Sequence, residues 1–341
     1  MSFTPILTAA ALTADQSQFG TTNVDPNLVN PIGITVGPGG KLFTADNETG
    51  DLTSYDSAGV PQPSATSPMV GSIPAAAGAA HAFPTGIVAH SGQGFDITDN
   101  GKNVPSTILT ATADGMIAGY NPGASAAAVI AVDHSQSGDV FTALTILGSG
   151  RVAKIFATDF RGGSVEVFNS DFQQIGLKQS AFVDPQVPAG YAPFGAQAIK
   201  GEIYVSYARQ DATQTIDNPG PAQGIIDVYS AQGRLIRRVA TGGDLNAPWG
   251  MALAPASWGI YKNDLLVANQ GDGAIDLFDK HDHFVGQFPD SEQDGQPLTA
   301  AGLWGLQTGT GKARNTIFFT SAPNSNSDGI LGDLTAARAK R

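Results

Sequence analysis

Short apolar runs with a two-residue alternation recur along the chain, each ending on a polar or aromatic residue. One set reads Leu42-Phe43-Thr44-Ala45-Asp46, Ile108-Leu109-Thr110-Ala111-Thr112, Ile155-Phe156-Ala157-Thr158-Asp159, Ile203-Tyr204-Val205-Ser206-Tyr207, Leu265-Leu266-Val267-Ala268-Asn269 and Ile317-Phe318-Phe319-Thr320-Ser321. A second set ends in an aromatic before a turn, as in Ser54-Tyr55-Asp56, Val167-Phe168-Asn169, Val228-Tyr229-Ser230 and Leu277-Phe278-Asp279. Alternation, β-branched residues and regular turns predict short strands, and no stretch carries the period of a helix.

A third mark precedes these pairs: Pro31-Ile32-Gly33, Pro84-Thr85-Gly86, Pro193-Phe194-Gly195, Pro248-Trp249-Gly250 and Leu303-Trp304-Gly305. The copies stand roughly 55 residues apart, with one double interval whose missing copy falls near Asp139-Val140-Phe141. A less regular fourth strand, such as Arg234 to Val239, completes each period. A lone four-stranded sheet cannot bury both faces, whereas six around an axis pack on one another. The sequence therefore predicts an all-β fold, a single six-bladed β-propeller spanning 1–341. Its blades are expected near 28–82, 83–131, 132–190, 191–245, 246–300 and 301–334. The last blade supplies only three strands, and residues 5–13 are expected to close it. Ala336 to Arg341 reads as a frayed tail. Two long insertions, 61–82 and 210–223, interrupt the periods and read as loops.

Composition supports this reading. Only 14% of the 341 residues are charged, while Gly 42 and Pro 21 supply frequent turns. A net charge of −12 disfavours nucleic acid and anionic membranes. No apolar run is long enough to span a bilayer. The absence of cysteine excludes disulfides, thiolate metal sites and a Cys nucleophile. The start at Met1-Ser2-Phe3 shows no signal peptide.

In a propeller, the loops entering the innermost strand and those leaving the second strand open on one face. The Pro-x-Gly entries and the strand-end residues Asp46, Thr112, Asp159, Tyr207, Asn269 and Ser321 are thus expected to ring one mouth of the central channel. Phe83, Tyr191, Phe194, Tyr207, Trp249 and Trp304 are the candidate ligand contacts, with wedging between blades as the packing alternative. Asp46, Asp159 and Asn269 are candidate oxygen ligands for Ca²⁺, with turn capping as the alternative. His81 and His134, near inter-blade connections, and Arg209, at a strand end, are the candidate catalytic groups. His281-Asp282-His283 reads as a surface turn. No Gly-x-Ser-x-Gly elbow, Walker loop or His-Glu-x-x-His motif occurs.

Taken together, Asp25-Pro26-Asn27-Leu28-Val29-Asn30-Pro31, Ala157-Thr158-Asp159-Phe160-Arg161-Gly162-Gly163, Leu245-Asn246-Ala247-Pro248-Trp249-Gly250 and Gly302-Leu303-Trp304-Gly305 resemble a family of bacterial exported propellers. Some members of that family carry a PEP-CTERM sorting tail. The chain is similar, more loosely, to NHL-repeat propellers. The resemblance implies six blades and a secreted or periplasmic location, and brings no catalytic residues. Ile32 stands where the family favours Trp.

Two functions follow as expectations. One is an extracytoplasmic binding propeller taking a small molecule, carbohydrate or protein at the entry-loop face. The other is a Ca²⁺-dependent hydrolase or lactonase with its site at the central channel.

Overall fold

Each alternating run becomes a strand, and each period becomes a small antiparallel sheet. The computed structural model describes residues 5–63, 70–125, 127–289 and 296–338. Six sheets circle an axis as a six-bladed β-propeller. Blade one holds Pro31–Val36, Leu42–Asp46, Asp51–Tyr55 and Val70–Ser72 in spatial order. Blades two, four and five repeat that up-and-down order.

Closure follows the expectation. Pro5–Ala14 pairs antiparallel with Ile330–Arg338, so the two ends of the chain share blade six. The final strand runs further than expected: Ala336 and Ala337 pair with Leu7 and Ile6, which corrects the frayed tail at those positions.

Two departures matter. Blade three holds three strands among the described residues, Phe141–Leu147, Lys154–Asp159 and Ser164–Phe168. The chain that would form its fourth strand pairs with the third only at an isolated bridge, Phe168 with Gln174, and then packs Phe182 between Phe156 of blade three and Tyr229 of blade four. Blade two gains an extra hairpin, Asp96–Asp99 with Lys102–Pro105, turned by Asn100 and Gly101 at positive φ.

The glycine of Pro-x-Gly has a steric reason. A Cβ on Gly250 would lie 2.3 Å from the Trp304 carbonyl oxygen of the next blade, and one on Gly195 would lie 2.2 Å from that of Trp249. Inner strands therefore approach as closely as backbone allows. Hydroxyls then tie neighbouring blades. Thr85 Oγ1 donates to Phe141 O at 2.7 Å, Ser206 Oγ to Pro248 O at 2.6 Å, and Thr320 Oγ1 to Ile32 O at 2.7 Å. Apolar clusters fill the wedges outside this ring. Leu109, Phe141, Ile155 and Phe168 fill that between blades two and three. Leu266, Ile275, Leu306 and Phe319 fill that between blades five and six. No helix among the described residues is long and apolar enough to cross a membrane.

Candidate functional site

Six inner strands begin at one end of the axis, and each contributes the residue before its glycine position. These are Ile32, Thr85, Thr142, Phe194, Trp249 and Trp304, and all six line one cavity of about 380 Å³. Blade symmetry thus delivers one side chain per blade to a common mouth. The long insertion of blade four contributes Thr215 to Asp217 and Pro219 to the same wall.

The floor is aromatic. Trp249 and Trp304 meet edge to face at 5.9 Å between ring centroids, and Phe194 lies 6.1 Å from Trp304. Trp249 Nε1 reaches from blade five to donate to Thr142 O of blade three at 3.1 Å. These rings pack together and line the cavity at once, so the packing and contact readings of the entry aromatics are compatible.

Above them sits a polar rim. Asn47 and Gln270 line the cavity one residue beyond the strand-end positions Asp46 and Asn269. Asn30 Nδ2 donates to Asn47 Oδ1 at 3.3 Å, and Asn47 Nδ2 donates to Pro84 O at 3.0 Å. Asn30 Oδ1, Asp217 Oδ2, Gln270 Oε1 and Trp304 Nε1 are buried and have no hydrogen-bond partner. Such groups are rare in folded proteins and costly unless a ligand or water completes them. Burial pushes the Asp217 carboxyl up to about 6. Glu48 and Asp217 are the ionisable side chains among the described lining residues, and no Lys, Arg or His joins them.

The strand-end residues themselves turn the other way. All six are buried and none lines the cavity, which corrects the expected ring. Strand side chains alternate, so the residue after the last paired position faces the axis while that position faces the blade. Asp46 accepts from Thr53 Oγ1 at 2.7 Å and from Thr44 Oγ1 at 3.0 Å, and burial holds its carboxyl well above the usual range. Asp159 accepts from the Val140 amide at 3.0 Å, with burial again raising it. Asn269 Oδ1 accepts from the Asn246 amide at 3.0 Å. Each caps backbone or hydroxyls of its own blade, and the three do not meet in the axial cavity.

Of the other candidates, Tyr207 points into blade four, where its hydroxyl lies 2.6 Å from that of Tyr229. Tyr191 packs on the same cluster. Phe83 packs on His81 with the rings tilted and their centroids 4.5 Å apart, and His81 Nδ1 lies 2.7 Å from Ala82 O. Arg209 is exposed and outside the cavity wall. His134 lies 2.8 Å from Asp139 and 3.4 Å from Glu166, away from the axis. The structure therefore brings together Phe194, Trp249 and Trp304, and adds Asn30, Asn47, Asp217 and Gln270, which the sequence reading did not single out. Their one sequence signal was position: next to a marked residue, or inside a marked insertion.

No family model matches the chain. The fold is shared with solved structures. The virginiamycin B lyase from Staphylococcus aureus solved with Quinupristin aligns with a TM-score of 0.54 at 14% identity, over 92% of this chain and 83% of that one. A gluconolactonase from Xanthomonas campestris, XC5397, aligns with a TM-score of 0.51 at 13% identity, over 91% and 88%. These likenesses carry the fold alone. In sequence, protein R648 of Acanthamoeba polyphaga mimivirus is 31% identical over 321 residues, covering 92% of this chain and 76% of that protein. This relative is viral and not bacterial, and what the comparisons support of the resemblance is the six-bladed propeller fold. The six-bladed chain described here belongs to the family of mimivirus protein R648.

Proposed function

We propose that the axial cavity binds a small hydroxyl-rich molecule such as a sugar. One observation carries this reading: three unpartnered acceptor oxygens, on Asn30, Asp217 and Gln270, stand over a floor of Phe194, Trp249 and Trp304. Sugars present hydroxyl donors at their edges and apolar C–H faces that stack on aromatic rings. The acidic wall, without a described cation, selects against anions. The volume suits a ligand of that size, since such sites run from about 300 Å³ upward.

The test is titration with a panel of neutral mono- and disaccharides and polyols, read by tryptophan fluorescence and melting temperature. Two of the three Trp residues line the site, so a bound sugar is expected to change the emission. Bound ligand raises the melting temperature by mass action. Gln270→Ala and Asp217→Asn are expected to weaken binding and leave the melt of the free protein nearly unchanged. A panel without any response, or a response untouched by both substitutions, overturns the reading. Ca²⁺ and EDTA arms address the hydrolase alternative with its site at the channel: stabilisation by Ca²⁺ that Asp217→Asn, at the cavity wall, abolishes would favour it. The secreted or periplasmic location belongs to the same proposal and rests on the resemblance; cell fractionation that leaves the chain in the cytoplasm removes it.

A further inference from the structure

Away from the axis, a second cluster forms where blade two hands over to blade three. His134 follows the outer strand Val129–Asp133 of blade two, Asp139 precedes the inner strand of blade three, and Glu166 sits on the third strand of blade three. The connecting loop is firmly held. The His134 amide donates to Gly115 O at 2.8 Å, and the Ser137 and Gly138 amides donate back to His134 O. The imidazole packs against Phe141 and Phe168, each 5.9 Å away between centroids. Its position is therefore set by packing as well as by charge.

His134 Nδ1 lies 2.8 Å from Asp139 Oδ2 and 3.4 Å from Glu166 Oε2, and the three ligand atoms all fall within 4.8 Å of one another. The single proton that Nδ1 can carry serves Asp139. Glu166 Oε2 is buried and has no hydrogen-bond partner. Two carboxyl groups thus face one imidazole with an unsatisfied buried oxygen between them, and a divalent cation would satisfy all three.

We propose that His134, Asp139 and Glu166 bind a first-row divalent metal ion, Zn²⁺ being the best match, that clips the inter-blade loop to blade three. One imidazole nitrogen with two carboxylate oxygens suits the borderline ions of this row. Ca²⁺ needs six to eight oxygens, and this cluster offers too few. The site is independent of the axial cavity and does not depend on what binds there.

The experiment uses the full chain, stripped with chelator and titrated calorimetrically with ZnCl₂ and separately with CaCl₂. One equivalent of Zn²⁺ is expected, with a rise in melting temperature, and weaker or no heat from Ca²⁺. Glu166→Gln and His134→Ala are expected to lower Zn²⁺ affinity by about 100-fold, at the upper end of what loss of a supporting group already costs. His283→Ala, in the exposed turn pair, is expected to change nothing. Co²⁺-loaded wild type is expected to show one hyperfine-shifted imidazole N–H by NMR, which decides the matter if a variant fails to fold. No Zn²⁺ binding by the wild type, unchanged affinity in Glu166→Gln, or two or no shifted imidazoles would mean an ion cluster without a metal role and overturn the proposal.

Discussion

Blades four and five bury an acid at the same place and treat it differently. Asp227 occupies the middle of the third strand of blade four, opposite Val205 on one side and Arg238 on the other. Asp276 occupies the matching place in blade five, opposite Val267 and Gln287. Both are fully buried. In blade four, Arg238 Nε donates to Asp227 Oδ1 at 2.8 Å, while its Nη2 reaches Asp227 Oδ2 at 3.2 Å and Asp184 Oδ2 at 2.5 Å. In blade five, Gln287 Nε2 donates to Asp276 Oδ1 at 3.0 Å and brings no charge. Burial raises both carboxyls, and Arg238 pulls Asp227 back, whereas Asp276 is pushed up to about 6. One repeat position thus holds a compensated charge in one blade and an uncompensated one in the next. In blade three the third strand carries Glu166, opposite Ala157, and it faces a histidine.

The largest effect is expected from Arg238→Ala. It strands two buried carboxylates, and breaking a buried pair from one side costs about 3–5 kcal/mol. Denaturant unfolding at pH 7 reads this directly. A cost of only a few tenths of a kcal/mol would place the pair with ordinary surface bridges and dissolve the contrast.

Asp276→Asn is expected to act in the opposite direction. In the unfolded chain this carboxyl ionises near pH 4, but in the fold it holds its proton to about pH 6. Between those values the folded state binds more protons, so stability falls as pH rises and stays lower above pH 6. The amide removes that loss, with a gain of up to about 3 kcal/mol at pH 7 and little change at pH 4. Parallel melts of both proteins across this window are the check, and parallel curves would show that Asp276 ionises normally.

This contrast was not legible in the sequence, although the architecture was. Blade count, closure by the first strand and the shared face followed from spacing, because Pro-x-Gly marks a place where only a residue without Cβ lets neighbouring inner strands touch. Within a strand, however, Asp227 and Asp276 sit in the alternation where an outward polar residue would, and pattern alone does not say that a neighbouring blade covers that face. The cavity rim suffered from the same blindness to facing. Asp46 and Asn269 marked the right strand ends, yet Asn47 and Gln270 line the axis. The hairpin of blade two had a readable signal in Asn100-Gly101. The missing fourth strand of blade three had one too, in a stretch from Gln173 to Gly190 without sustained alternation.

The finest probe of the contrast transplants the cation. Gln287 and Arg238 are both half-buried and both stand opposite the acid, so Gln287→Arg places a guanidinium where blade four has one. Asp244 and Asp272 already raise Asp276 through their charge, so the new cation enters a negative field. The gain should nevertheless be small, about 1 kcal/mol at pH 7, because blade four positions its guanidinium with bonds to two acids and a grafted side chain must first lose its own rotamer freedom. It should vanish near pH 4, where Asp276 is protonated and offers no charge to meet. Equal stabilisation at both pH values would show that the arginine stem, by covering apolar surface, matters more than its charge. The difference between the two blades would then be one of packing, with electrostatics following from it.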